Sequence, residues 1–331
     1  MPRKSSRKNP SRPARADGVL TVMDSARRGE LVAIVGTGVS IGLTDNKIPA
    51  LSWRGLILHG FAHGVQKGTI SAAQEKAWRM QLDSNDLDDL LGAAEFMGRK
   101  LGAPHGDLYA RWLENVFKSV QPTNQKLQNA IRALSTAGIP LCTLNYDSLL
   151  ERVTGLPAVN VSETAKVAAW MRKESPGVLH LHGSWDEPAT CILGIRDYAT
   201  TLGNDVRDLI QRSLGSFRRL LFIGCGDTFA DPNFSALINW LRETMKSAAP
   251  EHYALVSDRE MAARHADAAW RGFVEPLSYG ASHGDLAGFL LKYFVVPPAV
   301  PMKEEIARQK RPQVPQVPKT REDFGTTGPF W

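Results

Sequence analysis

Cysteine is scarce in this chain of 331 residues: Cys142, Cys191 and Cys225 are the only three, far apart and without a Cys-x-x-Cys pair. A disulfide framework needs regularly paired thiols and a four-thiolate zinc site needs four of them, so both are excluded. No run approaches the ~18 apolar residues of a membrane span, and the first residues lack the apolar core of a secretory signal. A cytoplasmic protein with no membrane partner is therefore expected. The Gly-Lys-Ser/Thr ending of a P-loop is missing too, which argues against an NTPase, and no internal repeat is visible. Acidic residues are absent from Met1–Ala16, which holds Arg3, Lys4, Arg7, Lys8, Arg12 and Arg15. Removing these six from the 40 Lys and Arg leaves 34 against 34 Asp and Glu, so the net charge of +6 belongs to a tail and the body is near neutral.

What is present divides the chain into three parts. Residues 1–17 form a basic Ser/Pro/Arg tail, expected to be disordered. It reads either as a solubilising arm or as an arm that touches nucleic acid or an acidic partner. Residues 18–296 form the folded body, in which 43% hydrophobic content is enough for a sizeable core. Residues 297–331, with Pro297, Pro298, Pro301, Pro312, Pro315 and Pro318, form an extended tail.

Within the body, Gly18–Glu30 reads as a helix leading into LVAIV at Leu31–Val35, a buried strand. A helical insertion is expected over about residues 56–122, including Asn85–Lys100 behind a Ser-Asn-Asp start. Asn124–Ala137 then returns to the main sheet. Short apolar runs follow at Pro140–Leu144, Val178–Leu181, Arg219–Ile223, His252–Val256 and Phe273–Leu277. Helical spacings stand between several of them, such as Phe234, Leu237, Ile238, Leu241 and Met245, and a last one runs through Leu286, Phe289, Leu290 and Tyr293. Alternating strands and helices predict an α/β fold: a Rossmann-like, doubly wound, mostly parallel sheet.

Three polar segments leave apolar runs at what would be the ligand-binding, carboxyl end of such a sheet. Gly36 and Gly38 follow the first strand; glycines there permit close approach to a pyrophosphate, or simply a tight turn. The dinucleotide fingerprint is incomplete, because Ile41 stands where its third glycine belongs. Asn145 and Asp147 follow Pro140–Leu144, and either cap the next helix or reach a ligand crevice. His182, next to Gly183, is either a hydrogen-bonded core residue or a functional imidazole, with His180 two residues earlier as a structural neighbour.

In this order, GTGVS with Pro49 and Trp53 after it, TLNYD, LHGS and FIGCGDTFADPNF resemble the sirtuin-like family. Within it, the chain looks most like the zinc-less bacterial and fungal branch found in antiphage NAD-depleting effectors. The resemblance spans about Leu31 to Phe294. It implies NAD+ as substrate, with Gly36, Thr37, Gly38 and Ser40 holding the pyrophosphate. Asn145 and Asp147 would border the nicotinamide and its ribose, and His182 would meet the ribose hydroxyls. Gly224, Cys225 and Gly226 would lie against the adenosine. Trp53 would close over the ligand, while Asp227 and His283 would either cap helices or reach the adenosine. Two departures stand out: the four-cysteine zinc module of the deacylases is absent, so no zinc is expected, and Pro49-Ala-Leu-Ser-Trp53 replaces their Pro-Asp-Phe-Arg. The deacylase peptide groove depends on that module, so the resemblance favours an NAD+ glycohydrolase with Asn145, His182 and Asp147 as catalytic residues.

The remaining functional classes are an NAD-dependent deacylase or ADP-ribosyltransferase, and a silent module that senses NAD+ or ADP-ribose. Free NAD+ hydrolysis harms a cell, so family analogy implies a latent enzyme controlled by homo-oligomerisation or a separate sensor protein. His59 and His63 have metal-ligand spacing but no following glutamate or third ligand, which favours a surface or packed pair.

Overall fold

In the computed structural model, which describes residues 15–83, 86–201, 206–226, 251–268 and 270–294 with positions 237, 239, 242 and 243, the first strand sets the architecture. Every residue of β1 (Leu31–Val35) is buried. Leu31, Ala33 and Val35 join one apolar cluster, whereas Val32 and Ile34 join another. Successive side chains leave a strand on opposite faces, so a strand covered on both sides reads as an unbroken apolar run. β5 (Arg219–Ile223) and β6 (His252–Ser257) behave alike: Leu221, Ile223, Tyr253 and Leu255 face the first cluster, and Leu220, Phe222, Ala254 and Val256 the second.

These strands belong to a seven-stranded sheet ordered β3-β4-β2-β1-β5-β6-β7, with β2 at Leu141–Thr143, β3 at Ala158–Asn160, β4 at Val178–His180 and β7 at Val274–Gly280. Every pairing is parallel. The fold is thus Rossmann-like α/β, wrapped on both faces. β3 was not among the strands expected from sequence: three residues at an edge, paired only with β4, are too short for a periodic signal. The chain returns to β5 from the far side of β1, so the order reverses between β1 and β5. That is where open parallel sheets bind ligands.

The helices follow their caps. α1 (Arg15–Arg27) begins and ends three residues earlier than expected, because the turn through Arg28 and Gly29 feeds β1 directly. Short α2 (Thr37–Leu43) follows β1. The insertion is wholly helical among the described residues: α3 (Trp53–Gln66), α4 (Ala72–Leu82), α5 (Leu87–Leu101) and α6 (Asp107–Phe117). Ser52 accepts the Gly55 amide, Ser71 and Gln74 form a capping box, and Asp86 accepts the Asp88 amide, which satisfies amides that a helix start leaves bare. Phe61, Trp78 and Phe96 pack ring on ring and bind α3, α4 and α5 together. α7 (Gln125–Thr136) starts at its Asn124 cap. It is followed by α8 (Leu149–Thr154), α9 (Thr164–Met171), α10 (Ile195–Thr201), α11 (Val206–Phe217), α12 (Asp258–Ala266) and α13 (Asp285–Phe294). Asp227, most of the helix expected around Phe234–Met245, residues 1–14 and the Pro-rich tail lie outside the described residues, whereas residues 15–17, expected in the disordered tail, open α1. Among the described residues no helix is long and apolar enough to cross a membrane.

Candidate active site

At the carboxyl ends of β1 and β5 two backbones touch. The Gly38 amide donates to the Gly224 carbonyl at 2.9 Å. A Cβ on Gly36 would lie 2.6 Å from that oxygen, and one on Gly38 would lie 2.9 Å from it. Gly224 itself has φ +66°, which disfavours any residue with a side chain. The glycine spacing is therefore required by the close packing of the β1 and β5 loops, which leaves Gly38 exposed to the space above.

The β2 loop is tied to β1 by Thr143, whose hydroxyl donates to the Val35 carbonyl (3.0 Å) and accepts the Asn145 amide (3.1 Å). Beyond it, Asn145 Nδ2 donates to Ser40 Oγ at 2.8 Å, and Ser40 Oγ donates to Asp147 Oδ2 at 2.7 Å. Asp147 Oδ1 accepts the Leu149 amide at 3.0 Å. The two readings of the Asn-x-Asp pair therefore divide: one Asp147 oxygen caps α8 while the other joins a side-chain chain with Ser40 and Asn145. All three residues are buried. Asn145 Oδ1 is buried without a hydrogen-bond partner, an unusual state for an amide oxygen. Burial raises the Asp147 carboxyl above its ordinary pKa, against the pull of the Ser40 hydroxyl and the Leu149 amide.

His182 follows β4 and is buried. Its ring meets Tyr198 edge-on, centroids 6.1 Å apart, and its carbonyl accepts the Ile192 amide at 3.0 Å. The segment after it folds back so tightly that a Cβ on Gly183 (φ +83°) would lie 2.2 Å from the Thr190 carbonyl oxygen. His180 points elsewhere, bridging the Asn145 carbonyl (Nδ1, 3.1 Å) and Glu151 Oε1 (Nε2, 2.6 Å).

A cleft of about 820 Å³ opens over these loops, within the roughly 300–1,000 Å³ usual for small-molecule sites. Thr37, Gly38, Trp53, Asn145, Asp147, His182, Gly224, Cys225, Gly226 and His283 all line it. Gly36 and Ser40 lie beneath it, Ser40 with its hydroxyl occupied by Asn145 and Asp147. Trp53 Nε1 is buried without a partner. Cys225 Sγ approaches the Ile34 and Ile223 carbonyls. His283 Nδ1 lies 2.8 Å from the Tyr279 hydroxyl, while Ser282 and Asp285 make the turn into α13. Tyr146, Tyr198 and Glu260 also line the cleft and were not anticipated from sequence. Glu260 is visible only as the far member of a Ser-x-x-Glu capping box with Ser257. A hollow of about 700 Å³ between α1 and α13 holds none of the anticipated site residues.

His59 accepts the Trp112 indole N–H at 3.0 Å, and His63 is buried beside it on α3. Among the described residues no three His, Cys, Asp or Glu side chains gather as a metal site.

Fold and site together define an α/β protein with a cleft of small-molecule size at the reversal point of a parallel sheet. The family model of the SIR2-like domain matches residues 141–273. That stretch runs from the start of β2 to just before β7 and carries Asn145, Asp147, His182 and the Gly224–Gly226 turn. The match supports a sirtuin-like family, whose SIR2-like domains bind NAD+, and fits an NAD-using enzyme.

Proposed function

We propose that this chain is an NAD+ glycohydrolase that cleaves the nicotinamide–ribose bond, acting as a latent NAD-depleting effector in antiphage defence. The observation that carries this reading is the convergence of Asn145, Asp147 and His182 on one cleft, with Asn145 Oδ1 bare. An acceptor held rigid by the Ser40 bond and lacking a donor suits a water or a ribose hydroxyl. Asp147 is a buried carboxylate at the cleft wall, and the positive pyridinium and the oxocarbenium-like sugar are the charges such a group favours. Trp53 and Tyr198 supply aromatic walls that exclude other water.

In the reaction, the water oxygen bonds to the anomeric carbon while the carbon–nitrogen bond to the ring breaks. The bonding pair returns to the pyridine nitrogen, so nicotinamide leaves neutral and needs no acid. The proton shed by the water passes to His182 and then to solvent. NAD+ and water thus balance ADP-ribose, nicotinamide and one proton. The chain has three cysteines, too few for a four-thiolate module, which weighs against the deacylase reading.

The test is nicotinamide release from NAD+ by the full-length protein. Asn145→Ala and His182→Ala, assayed well below their melting temperatures, should each lower it by about 100- to 10,000-fold. Undiminished release in both variants would overturn the assignment, and a wild type that binds NAD+ but returns it uncleaved identifies a sensing module instead.

A further inference from the structure

Behind the cleft lies a pair that the reaction above does not use. His180, at the end of β4, is 1% exposed, and its ring is held at both nitrogens. Nδ1 is 3.1 Å from the Asn145 main-chain oxygen, and Nε2 is 2.6 Å from Glu151 Oε1 on the first turn of α8. A backbone carbonyl only accepts, so Nδ1 carries a hydrogen. An ionised carboxylate also only accepts, so Nε2 carries one too, or Glu151 holds it. In either placement the pair shares one proton more than a neutral imidazole and a carboxylate would. Glu151 Oε2 is buried with no hydrogen-bond partner, so His180 is the donor on which this carboxylate depends.

We propose that His180 and Glu151 form a buried, proton-dependent brace that fixes the Asn145 main chain, and through it the Asn145 amide and Asp147 carboxylate at the cleft. His180 is thus a positioning residue for the NAD+-cleaving reading, on which its functional part rests. Without the shared proton a bare Nε2 lone pair would face a carboxylate oxygen at 2.6 Å, the two would part, and the ring would lose its hold on the Asn145 carbonyl.

The charged groups facing His180 are Glu151 on α8 and Asp147 in the β2–α8 loop; its sheet neighbours Thr143 and Asn160 are uncharged. Burial opposes the imidazolium, but the Glu151 hydrogen bond and charge, the Asp147 charge and the Asn145 carbonyl outweigh it and hold the pKa above the ordinary histidine value. The brace therefore keeps its proton to higher pH than an ordinary histidine would and is released on the alkaline side.

The test needs no substrate to begin. In isotope-labelled full-length protein, the His180 ring nitrogens, assigned by their loss in His180→Gln, and the Glu151 carboxyl carbon should together report one shared proton at pH 7, as an imidazolium or as a protonated Glu151 facing the ring. The Asn145 carbonyl carbon should shift with the same alkaline midpoint. Glu151→Gln should leave His180 neutral at pH 7. Nicotinamide release by the wild type should fall with that same midpoint. In Glu151→Gln it should be about 10- to 100-fold lower in kcat, with no alkaline limb at that midpoint and KM within about threefold. A neutral His180 facing an ionised Glu151 at pH 7, or an Asn145 carbonyl that ignores the titration of the pair, would overturn the brace. A protein that titrates as described yet never releases nicotinamide would refute the NAD+-cleaving reading and leave the brace intact.

Discussion

Asp147 is almost wholly enclosed, with one oxygen on the Ser40 hydroxyl and the other on the Leu149 amide, and burial raises its pKa. A carboxyl whose folded pKa exceeds its unfolded value contributes stability that is complete below the unfolded value and is lost as pH rises through the folded one. Ionising the group therefore comes at the expense of stability, an arrangement that suits an electrostatic role. Asp147→Asn should leave the melting temperature at pH 7 unchanged or higher, while nicotinamide release falls at least about 100-fold. Calorimetry beside the release assay decides this; a lower melting temperature with activity retained would contradict it. Ser40→Ala should do the opposite to the fold. It strips Asn145 Nδ2 and Asp147 Oδ2 of their shared partner in a buried setting, for a loss of about 1–3 kcal/mol in urea unfolding. A loss indistinguishable from zero would mean that water replaces the hydroxyl.

At the scale of elements, the sequence was most legible where local patterns and burial agree. β1 and the Leu220–Ile223 stretch of β5 are unbroken apolar runs because both faces are covered. The start of α5 was legible in the acidic residue that caps it. Illegible features were those set by distant partners. Ser40 was expected at the pyrophosphate, yet its hydroxyl bonds residues 105 and 107 positions away, which no local motif encodes. Tyr198 enters the cleft because the chain doubles back after Gly183 and places α10 against α5. The β1 and β5 loops make the same point: the sequence assigns their glycines to ligand binding, and the structure adds a packing reason for Gly36, Gly38 and Gly224 but none for Gly226. Gly224→Ala should accordingly cost about 1–3 kcal/mol, since its Cβ would meet the Val39 amide nitrogen at 2.6 Å in a left-handed conformation. Equilibrium unfolding measures it, and a neutral effect would show that the two loops can separate.

For the molecule as a whole, two buried histidines of opposite tendency bracket the pH range of greatest stability. His252, fully buried where β6 lies beside β5, accepts the Leu220 amide at Nδ1 (3.3 Å), while its Nε2 has no partner. Burial, helped by the nearby Arg219 charge, depresses its pKa from the ordinary 6.5 to about 3. A depressed value means stability that is complete above the unfolded pKa and is lost as pH falls toward the folded one. His180 has a raised value, so its contribution is complete below the unfolded pKa and is lost as pH rises through the folded one. Stability should therefore decline on both sides of neutrality for two separable reasons. Between pH 6.5 and about 3, His252 alone supplies a slope approaching 1.4 kcal/mol per pH unit, roughly the value for one proton. His252→Gln keeps an acceptor for the Leu220 amide but cannot titrate, so it should flatten the acid limb while leaving the alkaline one. Glu151→Gln should flatten the alkaline limb and leave the acid one. Denaturation midpoints from pH 4 to 9 for the three proteins separate these effects. An acid limb equally steep in His252→Gln would move its origin from the β5–β6 core to the carboxylates.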